Sequence, residues 1–408
     1  MILLSILPLQ GIRILDLTWV YAGPHTTLLL QDMGAEVVKL EGPPGGDHTR
    51  YFPPLKNNCS GYFYMLNRGK KSVVINLKEE QGRKLFLELC KQFDVVVENF
   101  VAGTMDRLGL DYEKIRDANP RIIYAAIHGF GSYGPYSSLP CVDPVAQAMG
   151  GLMSLTGTTD SPPLKTGPAV ADALAGTYLA MGILGALLER ERTGLGQRIE
   201  VSMMDSVFSV LEDSVIRASL TGNALPARGN TDPLGAPWDA FPTSDNKWVM
   251  VCSFGGGPFY KIYSAIGRED LAEEYKGDDM HAIEKRSQDL SILNQAFASW
   301  TITKTANELI EFLSSMKVPC GIVKDVTELL EDPHLIARDM VISIDHPVLG
   351  PIKTHNIPVK FFEHSVGLKP GDRPLEPQLG ENTKEVLQGA LGLSDDEIKE
   401  LKQKGIII

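Results

Sequence analysis

Cysteine is scarce in this sequence, and its spacing excludes the commonest uses of that residue. The 408 residues include only five cysteines, an odd number with no CxxC pair, at Cys59, Cys90, Cys141, Cys252 and Cys320. This pattern argues against a disulfide framework and a zinc site, and it fits a reducing compartment. The eight histidines show no HxxxH or HExxH spacing. We therefore predict no catalytic metal.

Positive charge is also in short supply, and long apolar runs are missing. The net charge is −12, and no long Lys/Arg stripe offers a face to nucleic acid. The longest apolar helix candidate, Ala173–Leu188, has 16 residues, fewer than the ~20 that a membrane span needs. Met1–Pro8 is apolar but lacks a basic leader, so no signal peptide is expected. These absences predict a cytoplasmic protein without a nucleic-acid or membrane partner.

Alternating strand and helix patterns fill the first half of the chain. Short apolar runs predict strands, and amphipathic or apolar stretches between them predict helices, as in Glu79–Phe93. Such alternation is typical of parallel βαβ units and therefore of an α/β fold. The predicted strands are Ile12–Leu17, Glu36–Glu41, Ser72–Leu77, Asp94–Asn99 and Arg121–Ile127.

The pattern changes near residue 223, which suggests a second domain. Trp238–Thr243 and Lys247–Cys252 flank a Ser-Asp-Asn turn and predict a hairpin, with helices following at about Ile283–Ser299 and Thr305–Met316. A length of 408 residues fits about two domains. We expect a Rossmann-like large domain over 1–224, a smaller α/β domain over 225–330, and a C-terminal segment, 331–408, that returns to the large domain.

A glycine-rich segment matches the dinucleotide fingerprint in letters but not in context. Gly129, Gly131 and Gly134 form GxGxxG after a predicted strand. Pro135 and Pro140 follow where a helix should begin, so no helix N-terminus is available to hold a pyrophosphate. A glycine-rich turn is therefore the favoured interpretation. No GxSxG elbow of a serine hydrolase is present either.

Asp172 stands in TGPAVAD, at the entrance of the long apolar helix predicted over Ala173–Arg192. One interpretation is an N-cap, because Asp accepts the free N–H groups of a first turn. The other is a carboxylate nucleophile held at the helix start by a Gly-Pro loop. The positive end of the helix dipole is then expected to keep this acid ionised.

Two further features have both a structural and a functional interpretation. Gly255, Gly256 and Gly257 follow a predicted strand, and they form either a flexible turn or a loop that lets N–H groups approach an oxyanion. Several cations could meet the phosphates of an anionic ligand, although most charges on an enzyme are simply solvated. They are Lys39, Arg50, Arg68, Lys70, Lys71, Lys78 and Arg107. Arg107 is favoured because it follows a predicted strand end, where α/β sheets bind ligands.

Many short motifs, in one order from about Leu9 past Arg338, resemble the class III CoA-transferases, the family of formyl-CoA transferase and carnitine CoA-transferase. The matching segments are Ile14–Thr18 with Ala22–Pro24, Met33–Glu41, Gly45–Asp47, Asn67–Ser72, Val97–Phe100, Arg107–Gly109, Gly129–Gly131 with Gly134-Pro135, Asp172, and Arg192–Gln197. The resemblance implies a Rossmann-like large domain and a small domain in a dimer whose chains interlock.

The resemblance also implies roles for individual residues. The family's catalytic aspartate falls on Asp172, and its glycine loop over the active site falls on Gly255–Gly257. Its CoA-contacting positions fall on Tyr21, Ala22, Ile75, Asn76, Leu77, Lys78, Asn99, Phe100, Arg107, Pro140, Cys141, Val142 and Asp143. Tyr21 replaces a glutamine and Gly42 an arginine of formyl-CoA transferase, so the acyl and adenine contacts are expected to differ.

Together these observations lead to a hypothesis of CoA transfer, with the CoA thioester as substrate and no permanently bound cofactor. Asp172 attacks the donor thioester and forms a mixed anhydride. The freed CoA converts this anhydride to an aspartyl-CoA thioester, and the acceptor acid then repeats the two steps in reverse. Succinyl-CoA as donor and an aryl-substituted succinate, such as benzylsuccinate, as acceptor are the expected substrates. The same superfamily contains α-methylacyl-CoA racemases, whose histidine is absent from the stretch Leu139–Asp143. An isomerase, or a non-catalytic subunit paired with a paralogue, remains an alternative to a homodimeric transferase.

Overall fold

The computed structural model describes residues 7–408. Its strands, in chain order, are β1 Arg13–Asp16, β2 Glu36–Glu41, β3 Leu55–Lys56, β4 Cys59–Ser60, β5 Lys71–Val74, β6 Val95–Glu98, β7 Ile123–His128, β8 Arg198–Ser202, β9 Gly235–Pro242, β10 Trp248–Phe254, β11 Cys320–Ile322, β12 Val341–His346 and β13 Gly350–His355.

The helices follow the same order, with one additional 3₁₀ helix at His48–Tyr51. They are α1 Ala22–Asp32, α2 Gly61–Asn67, α3 Glu80–Cys90, α4 Thr104–Arg107, α5 Tyr112–Ala118, α6 Asp143–Met149, α7 Leu152–Leu155, α8 Val170–Thr193, α9 Met203–Phe208, α10 Asp213–Thr221, α11 Gly256–Ala265, α12 Glu269–Glu274, α13 Met280–Gln288, α14 Leu290–Thr301, α15 Ala306–Ser315, α16 Val326–Leu329, α17 Pro333–Ala337, α18 Thr383–Leu391 and α19 Asp395–Gln403.

A six-stranded sheet lies at the centre of the larger part of the chain. Its strand order is β5-β2-β1-β6-β7-β8, and every neighbouring pair is parallel. Two apolar clusters cover its faces, one including Phe86 of α3 and Leu387 of α18, the other including Leu30 of α1 and Leu179 of α8. The α/β class predicted from the sequence is therefore confirmed, because parallel strands need helical crossovers on both faces.

Cα proximity divides the chain into two compact units. The first comprises the described residues up to Met153, with Lys165–Ala224 and Asp332–Ile408. The second comprises Ser154–Leu164 and Leu225–Glu331, and contains the antiparallel sheet β11-β10-β9 and its own apolar core.

One helix predicted from the sequence is divided in the structure. The helix expected over Ile283–Ser299 is two helices, α13 and α14, which meet at Asp289. The Asp289 carboxylate accepts a hydrogen bond from the Tyr275 hydroxyl. Helix α1 begins at Ala22, although Pro24 follows. Proline is tolerated there because the N–H it lacks would be unpaired in a first turn.

Helix α8 is longer than the sequence pattern indicated. It has 24 residues, and by length and composition it could cross a membrane. In the first unit, however, one of its faces, including Ala175, Leu179 and Ile183, is buried in the cluster on the sheet. The helix ends at Gly194, which has φ +75° and donates its N–H to the Arg190 carbonyl. We interpret α8 as a core helix that carries Asp172 near its first turn.

Candidate active site

Asp172 is not the N-cap of α8, so that interpretation was wrong. It is the third residue of the helix, after Val170 and Ala171. The cap comes from α6, where Asp143 Oδ1 accepts the N–H groups of Ala171 at 2.8 Å and Asp172 at 3.3 Å. A carboxylate at a helix N-terminus satisfies orphan N–H groups and complements the dipole. This leaves the Asp172 side chain free of a capping role.

Asp143 is itself held by a short hydrogen-bond chain. The Gln147 amide donates to Asp143 Oδ2 at 2.7 Å, and Gln147 Oε1 accepts the Thr166 N–H at 3.0 Å. Asp143 and Gln147 are buried. These hydrogen bonds therefore fix the segment that leads into α8, and with it the position of the Asp172 backbone.

Burial, and then the like charge of Asp143, raise the pKa of Asp172 to about 7. The expectation that the helix dipole keeps this acid ionised is thus corrected, because both effects oppose the charged form. Within residues 7–408, no side-chain hydrogen bond reaches the Asp172 carboxylate. Burial and the Asp172 charge also raise the pKa of Tyr21, and they raise that of Tyr62 to about 12. A perturbed carboxylate in a cavity is typical of a functional site.

Asp172 lines a cavity of about 260 Å³, here called the Asp172 cavity. Its walls come from the carboxyl ends of β1, β6 and β7 and from the segment before α6, which is where α/β sheets bind ligands. Of the residues predicted to contact the ligand, those in this cavity are Tyr21, Ala22, Asn99, Phe100, Cys141, Val142 and Asp143.

A second cavity of about 480 Å³, here called the Lys78 cavity, lies next to the first. Its walls include the predicted contacts Ile75, Asn76, Leu77, Lys78 and Phe100, and also Gly42. The two cavities are adjacent because Trp19 and Phe100 line both of them. Pro140 and Arg107 line neither, although α4 carries Arg107 and contributes Thr104 to the Lys78 cavity.

Most of the cations that the sequence suggested for phosphate are paired with carboxylates. Lys39, Arg68 and Lys70 are buried and pair with Asp47, Asp32 and Asp16. Arg50 pairs with Glu41, and Lys71 with Glu36 and Glu385. Among the seven, Lys78 and Arg107 have no carboxylate partner in the part of the chain that the structure describes. These two remain available to an anionic ligand.

Comparison with known proteins identifies the family. Residues 9–383 match the family described as CoA-transferase family III. The chain belongs to CoA-transferase family III. The formyl-CoA:oxalate CoA-transferase of Streptomyces avermitilis is 38% identical over 98% of this chain and 99% of that relative. The succinyl-CoA:mesaconate CoA-transferase of Haloarcula hispanica is 38% identical over 94% of this chain and 96% of that relative.

A solved structure supports the same assignment. The CaiB/BaiF family protein from Brucella suis matches with a TM-score of 0.82 and 32% identity, covering 94% of this chain and 99% of that chain. The family resemblance and the enzyme class inferred from the sequence are therefore confirmed. This class III enzyme is an acyl-CoA:carboxylate CoA-transferase.

The glycine triplet of the transferase lies in the second unit and is not simply a loop. Gly255, with φ +78°, precedes α11, and Gly256 and Gly257 are its first residues. The Gly256 N–H donates to Asp278 Oδ1, and a Cβ on Gly256 would meet the Gly277 carbonyl oxygen at 2.2 Å. The role of the triplet in oxyanion binding stays a prediction.

The sequence predicted that no helix begins directly after the fingerprint-like glycines of the transferase, and the structure agrees. Gly129 and Gly131 lie in the irregular segment after β7, and the next helix, α6, begins only at Asp143. A Cβ on Gly129 would meet Cys141 Cβ at 2.1 Å. Gly129 is therefore required for close approach of the segment that lines the Asp172 cavity.

Sequence reasoning missed His128, which also lines the Asp172 cavity. It ends β7 and is buried, and its Nδ1–H donates to the Phe100 carbonyl oxygen at 3.1 Å. Its Nε2 lies 3.9 Å from Glu98 Oε1. A strand-end position was the available signal, since such residues face the ligand in parallel sheets.

Cys59, His346 and Glu376 form a cluster of potential metal ligands. The N–H groups of Val348 and Leu349 donate to His346 Nδ1 at 3.1 and 3.0 Å, so Nε2 carries the proton and donates to Glu376 at 2.9 Å. The Cys59 thiol donates to the same carboxylate at 2.8 Å. When an imidazole binds a metal through one nitrogen, its other nitrogen carries the proton and donates to a neighbour. Here the nitrogen that faces Cys59 and Glu376 carries the proton, and the other nitrogen accepts. The arrangement therefore fits a hydrogen-bonded trio and not a metal site.

Proposed function

We propose that this transferase moves CoA from succinyl-CoA to an acceptor carboxylic acid, with Asp172 as the residue that carries the acyl group. The observation that supports this is the Asp172 carboxylate, which lines a cavity, has no hydrogen-bond partner within residues 7–408 and has a pKa of about 7. A carboxylate of this kind is ionised in a substantial fraction of molecules at neutral pH, yet weakly solvated. Both properties favour nucleophilic attack.

In the first step, an Asp172 oxygen adds to the donor thioester carbonyl, and the C–S bond breaks. The products are an acyl-aspartyl anhydride and CoA thiolate. The thiolate then attacks the Asp172 carbonyl and expels the donor acid as its carboxylate, which leaves an aspartyl-CoA thioester. The acceptor carboxylate reverses both steps. The thioester energy is kept throughout, because no step consumes water.

The two adjacent cavities suggest how the substrate is bound. The acyl part would occupy the Asp172 cavity, and the CoA part the Lys78 cavity, with the thioester between them. Lys78 and Arg107 would meet the phosphates as charge-assisted donors. Since Asp143 fixes the first turn of α8, it would hold the Asp172 carboxylate at the end of the passage.

The relatives suggest a dicarboxylate acceptor. Their names include oxalate and mesaconate, both of which are dicarboxylates. Trp19, Tyr21 and Phe100 line the Asp172 cavity, and aromatic walls favour an acid with an aryl group. We therefore propose an aryl-substituted succinate such as benzylsuccinate as acceptor. A screen of acceptor acids with succinyl-CoA tests this, and activity on mesaconate alone would contradict the aryl preference.

An isomerase is the second candidate, and His128 is the observation that favours it, because the racemases of this superfamily pair an aspartate with a histidine. However, the Nδ1 of His128 is used on Phe100 and its Nε2 points toward Glu98. Neither nitrogen is directed at a substrate base position. Solvent deuterium entering the α-carbon of the acyl group, without an enzyme adduct, would support the isomerase.

We propose that two copies of the chain associate in the interlocked manner of the family, in the cytoplasm, although a paralogous subunit is an alternative partner. Helix α10 supports self-association: none of its residues is buried, and Ile216 and Leu220 are 57% and 79% exposed. Met181 and Leu188 on α8 are exposed as well. Exposed apolar patches of this kind usually mark an interaction surface.

Trapping tests the covalent mechanism. The transferase is incubated with succinyl-CoA, quenched with hydroxylamine or borohydride, and digested for mass spectrometry. A modified Asp172 in the wild type, and none in Asp172→Ala, is the expected result. An unmodified Asp172 alongside full transfer activity would contradict the proposal. A protein that shows neither adduct nor transfer with any donor of a panel of acyl-CoA thioesters would be a non-catalytic subunit.

A further inference from the structure

Trp19 and Phe100 form the boundary between the Asp172 cavity and the Lys78 cavity, because both residues line both cavities. Their ring centroids are 6.2 Å apart with an interplanar angle of 65°. The two residues come from different strands, since Trp19 follows β1 and Phe100 follows β6. The structure must therefore hold the ends of two neighbouring strands together to keep this boundary, here called the aromatic passage.

One amide side chain holds the backbone of Trp19 on both sides. Asn99 Oδ1 accepts the Trp19 N–H at 3.0 Å, and Asn99 Nδ2 donates to the Trp19 carbonyl at 2.9 Å. The strands themselves pair only as far as Asp16 and Val97, with one more bond from the Leu17 N–H to the Val97 carbonyl. The Asn99 side chain thus extends the pairing of β1 and β6 beyond the end of the sheet.

The backbone of Phe100 is held on both sides as well. Glu98 Oε2 accepts its N–H at 2.7 Å, and His128 Nδ1–H donates to its carbonyl at 3.1 Å. Glu98 is buried, and its Oε1 also accepts a hydrogen bond from the Tyr124 hydroxyl at 3.0 Å. In both aromatic residues of the passage, the backbone N–H and the backbone carbonyl are therefore hydrogen-bonded to side chains at the strand ends.

The backbone just after Trp19 has a strained conformation that needs hydrogen bonds from its surroundings to be stable. Val20 has φ +67°, a left-handed backbone conformation that is rare and strained for a β-branched residue. Its N–H donates to Asp47 at 3.3 Å, and the Thr18 carbonyl accepts from Lys39 Nζ. Such strain persists where surrounding bonds over-determine the backbone, and Asn99 supplies two of those bonds.

We propose that Asn99 and His128 are positioning residues for CoA transfer, which set the width of the aromatic passage and thereby keep the CoA thiol beside the Asp172 anhydride. The proposal rests on the transfer mechanism above. If the passage widens, the thiolate departs before it can attack the Asp172 carbonyl. Water can then add to the acyl carbonyl of the anhydride and expel the Asp172 carboxylate. The products are the free acid and, after the thiolate takes up a proton, free CoA.

The test compares Asn99→Ala with Asn356→Ala, a matched control from the same unit. Asn356 makes the same double contact on Leu368, accepting its N–H at 2.9 Å and donating to its carbonyl at 2.8 Å. Transfer is measured as exchange of ¹³C-succinate into succinyl-CoA, and hydrolysis as free thiol released from succinyl-CoA. We expect Asn99→Ala to raise the ratio of hydrolysis to exchange about tenfold, given the sensitivity of rate to ~1 Å misplacement. We expect Asn356→Ala to leave the ratio unchanged.

Two variants of His128 separate positioning from general damage. His128→Ala should raise the same ratio, whereas His128→Asn should restore most of it, because its amide can still donate to the Phe100 carbonyl. A ratio that stays at the wild-type value in both Asn99→Ala and His128→Ala overturns the inference.

Fluorescence anisotropy, which does not depend on activity, distinguishes a failure of the proposed transfer function from a failure of the positioning role of Asn99. In a protein whose other tryptophans, Trp238, Trp248 and Trp300, are replaced by Phe, the fluorescence anisotropy of Trp19 reports how firmly it is held. Anisotropy should fall in Asn99→Ala and stay constant in Asn356→Ala. If the wild type shows no succinate exchange, the proposed donor is wrong, and anisotropy alone decides the role of Asn99: unchanged anisotropy overturns it.

Discussion

The nucleophilic role proposed for Asp172 makes two demands that conflict in a half-buried carboxylate: it must ionise to attack a thioester, and it must be poorly solvated to be reactive. Burial and Asp143 raise its pKa from 3.8 to about 7. A folded pKa above the unfolded value contributes stability that is complete below pH 3.8 and is lost as the pH rises through 7. The shift corresponds to on the order of 4 kcal/mol of lost stability at alkaline pH.

Replacing Asp172 by Asn should therefore abolish transfer but stabilise the fold above neutral pH. We expect a higher Tm than the wild type at pH 8 and a difference that vanishes near pH 4, as measured by circular dichroism. Asp117→Asn, at an exposed position on α5, serves as the control and should follow the wild type at every pH. An equal Tm for Asp172→Asn and the wild type at pH 8 would refute the burial argument.

Asp143→Asn removes the like charge beside Asp172, so the pKa of Asp172 should fall. The acid limb of the kcat/KM profile should then move to lower pH, alongside some loss of stability from the weakened helix cap. Thr166→Val disturbs the same hydrogen-bond chain without changing charge. It should lower Tm and leave the acid limb in place; a limb that moved equally in both variants would show that geometry, not charge, controls the pKa.

At the scale of elements, the contact between α1 and α8 positions the site. The Thr26 hydroxyl lies 3.0 Å from the carbonyl oxygens of both Ala22 and Gly176. A Cβ on Gly176 would lie 2.6 Å from the Ala22 oxygen, so the helices approach as closely as backbone allows. Because Tyr21 and Ala22 line the Asp172 cavity, a change in this crossing would move its wall.

Gly176→Ala should accordingly lower both Tm and kcat, since α1 must shift away from α8. Around Gly185 on the same helix, no atom of residues 7–408 lies within 4 Å of an added Cβ. Gly185→Ala is the matched control and should stabilise the protein by about 0.5–1 kcal/mol through helix propensity. Similar thermal denaturation curves for the two variants would contradict the close-packing account.

The segment after β5 supplies Lys78 and helix α4 supplies Arg107, for which residues 7–408 offer no carboxylate partner. We expect the double variant Lys78→Ala/Arg107→Ala to raise the KM for succinyl-CoA about tenfold with little change in kcat, because phosphate contacts bind ground and transition state alike. Lys91→Ala, at an exposed residue paired with Glu88, should leave KM unchanged. An unaltered KM in the double variant would mean that CoA phosphates bind elsewhere.

At the scale of the whole molecule, helix α10 predicts self-association. Leu220→Glu should shift the sedimentation coefficient toward that of a monomer, since a charge would be buried in an apolar interface. Gln403→Glu, at an exposed position on α19, adds the same charge outside α10, and this control should sediment as the wild type does. A wild type that sediments as a monomer would contradict the proposed dimer.

The fold was predictable wherever local pattern and burial agree. Glu36–Glu41 was predicted as a strand and forms β2 with those bounds, because its apolar residues, Val37, Val38 and Leu40, are buried in the sheet. β8, Arg198–Ser202, was missed because polar and apolar residues alternate along this edge strand, which therefore contains no continuous apolar run. Lys39 and Lys70 stood among the seven cations that could meet phosphates, because no local pattern shows that Asp47 and Asp16 pair with them inside the protein.

The sequence by itself determined the α/β class and the transferase family, and it singled out Asp172, because strand periodicity and ordered motifs are local properties of the chain. Only the tertiary structure decided that Asp143 caps α8, that Lys78 and Arg107 have no carboxylate partner within residues 7–408, and that Asn99 and His128 hydrogen-bond the backbones of Trp19 and Phe100. These roles depend on contacts between residues far apart in sequence. Packing of the sheet and its helices creates them, and no spacing along the chain encodes them.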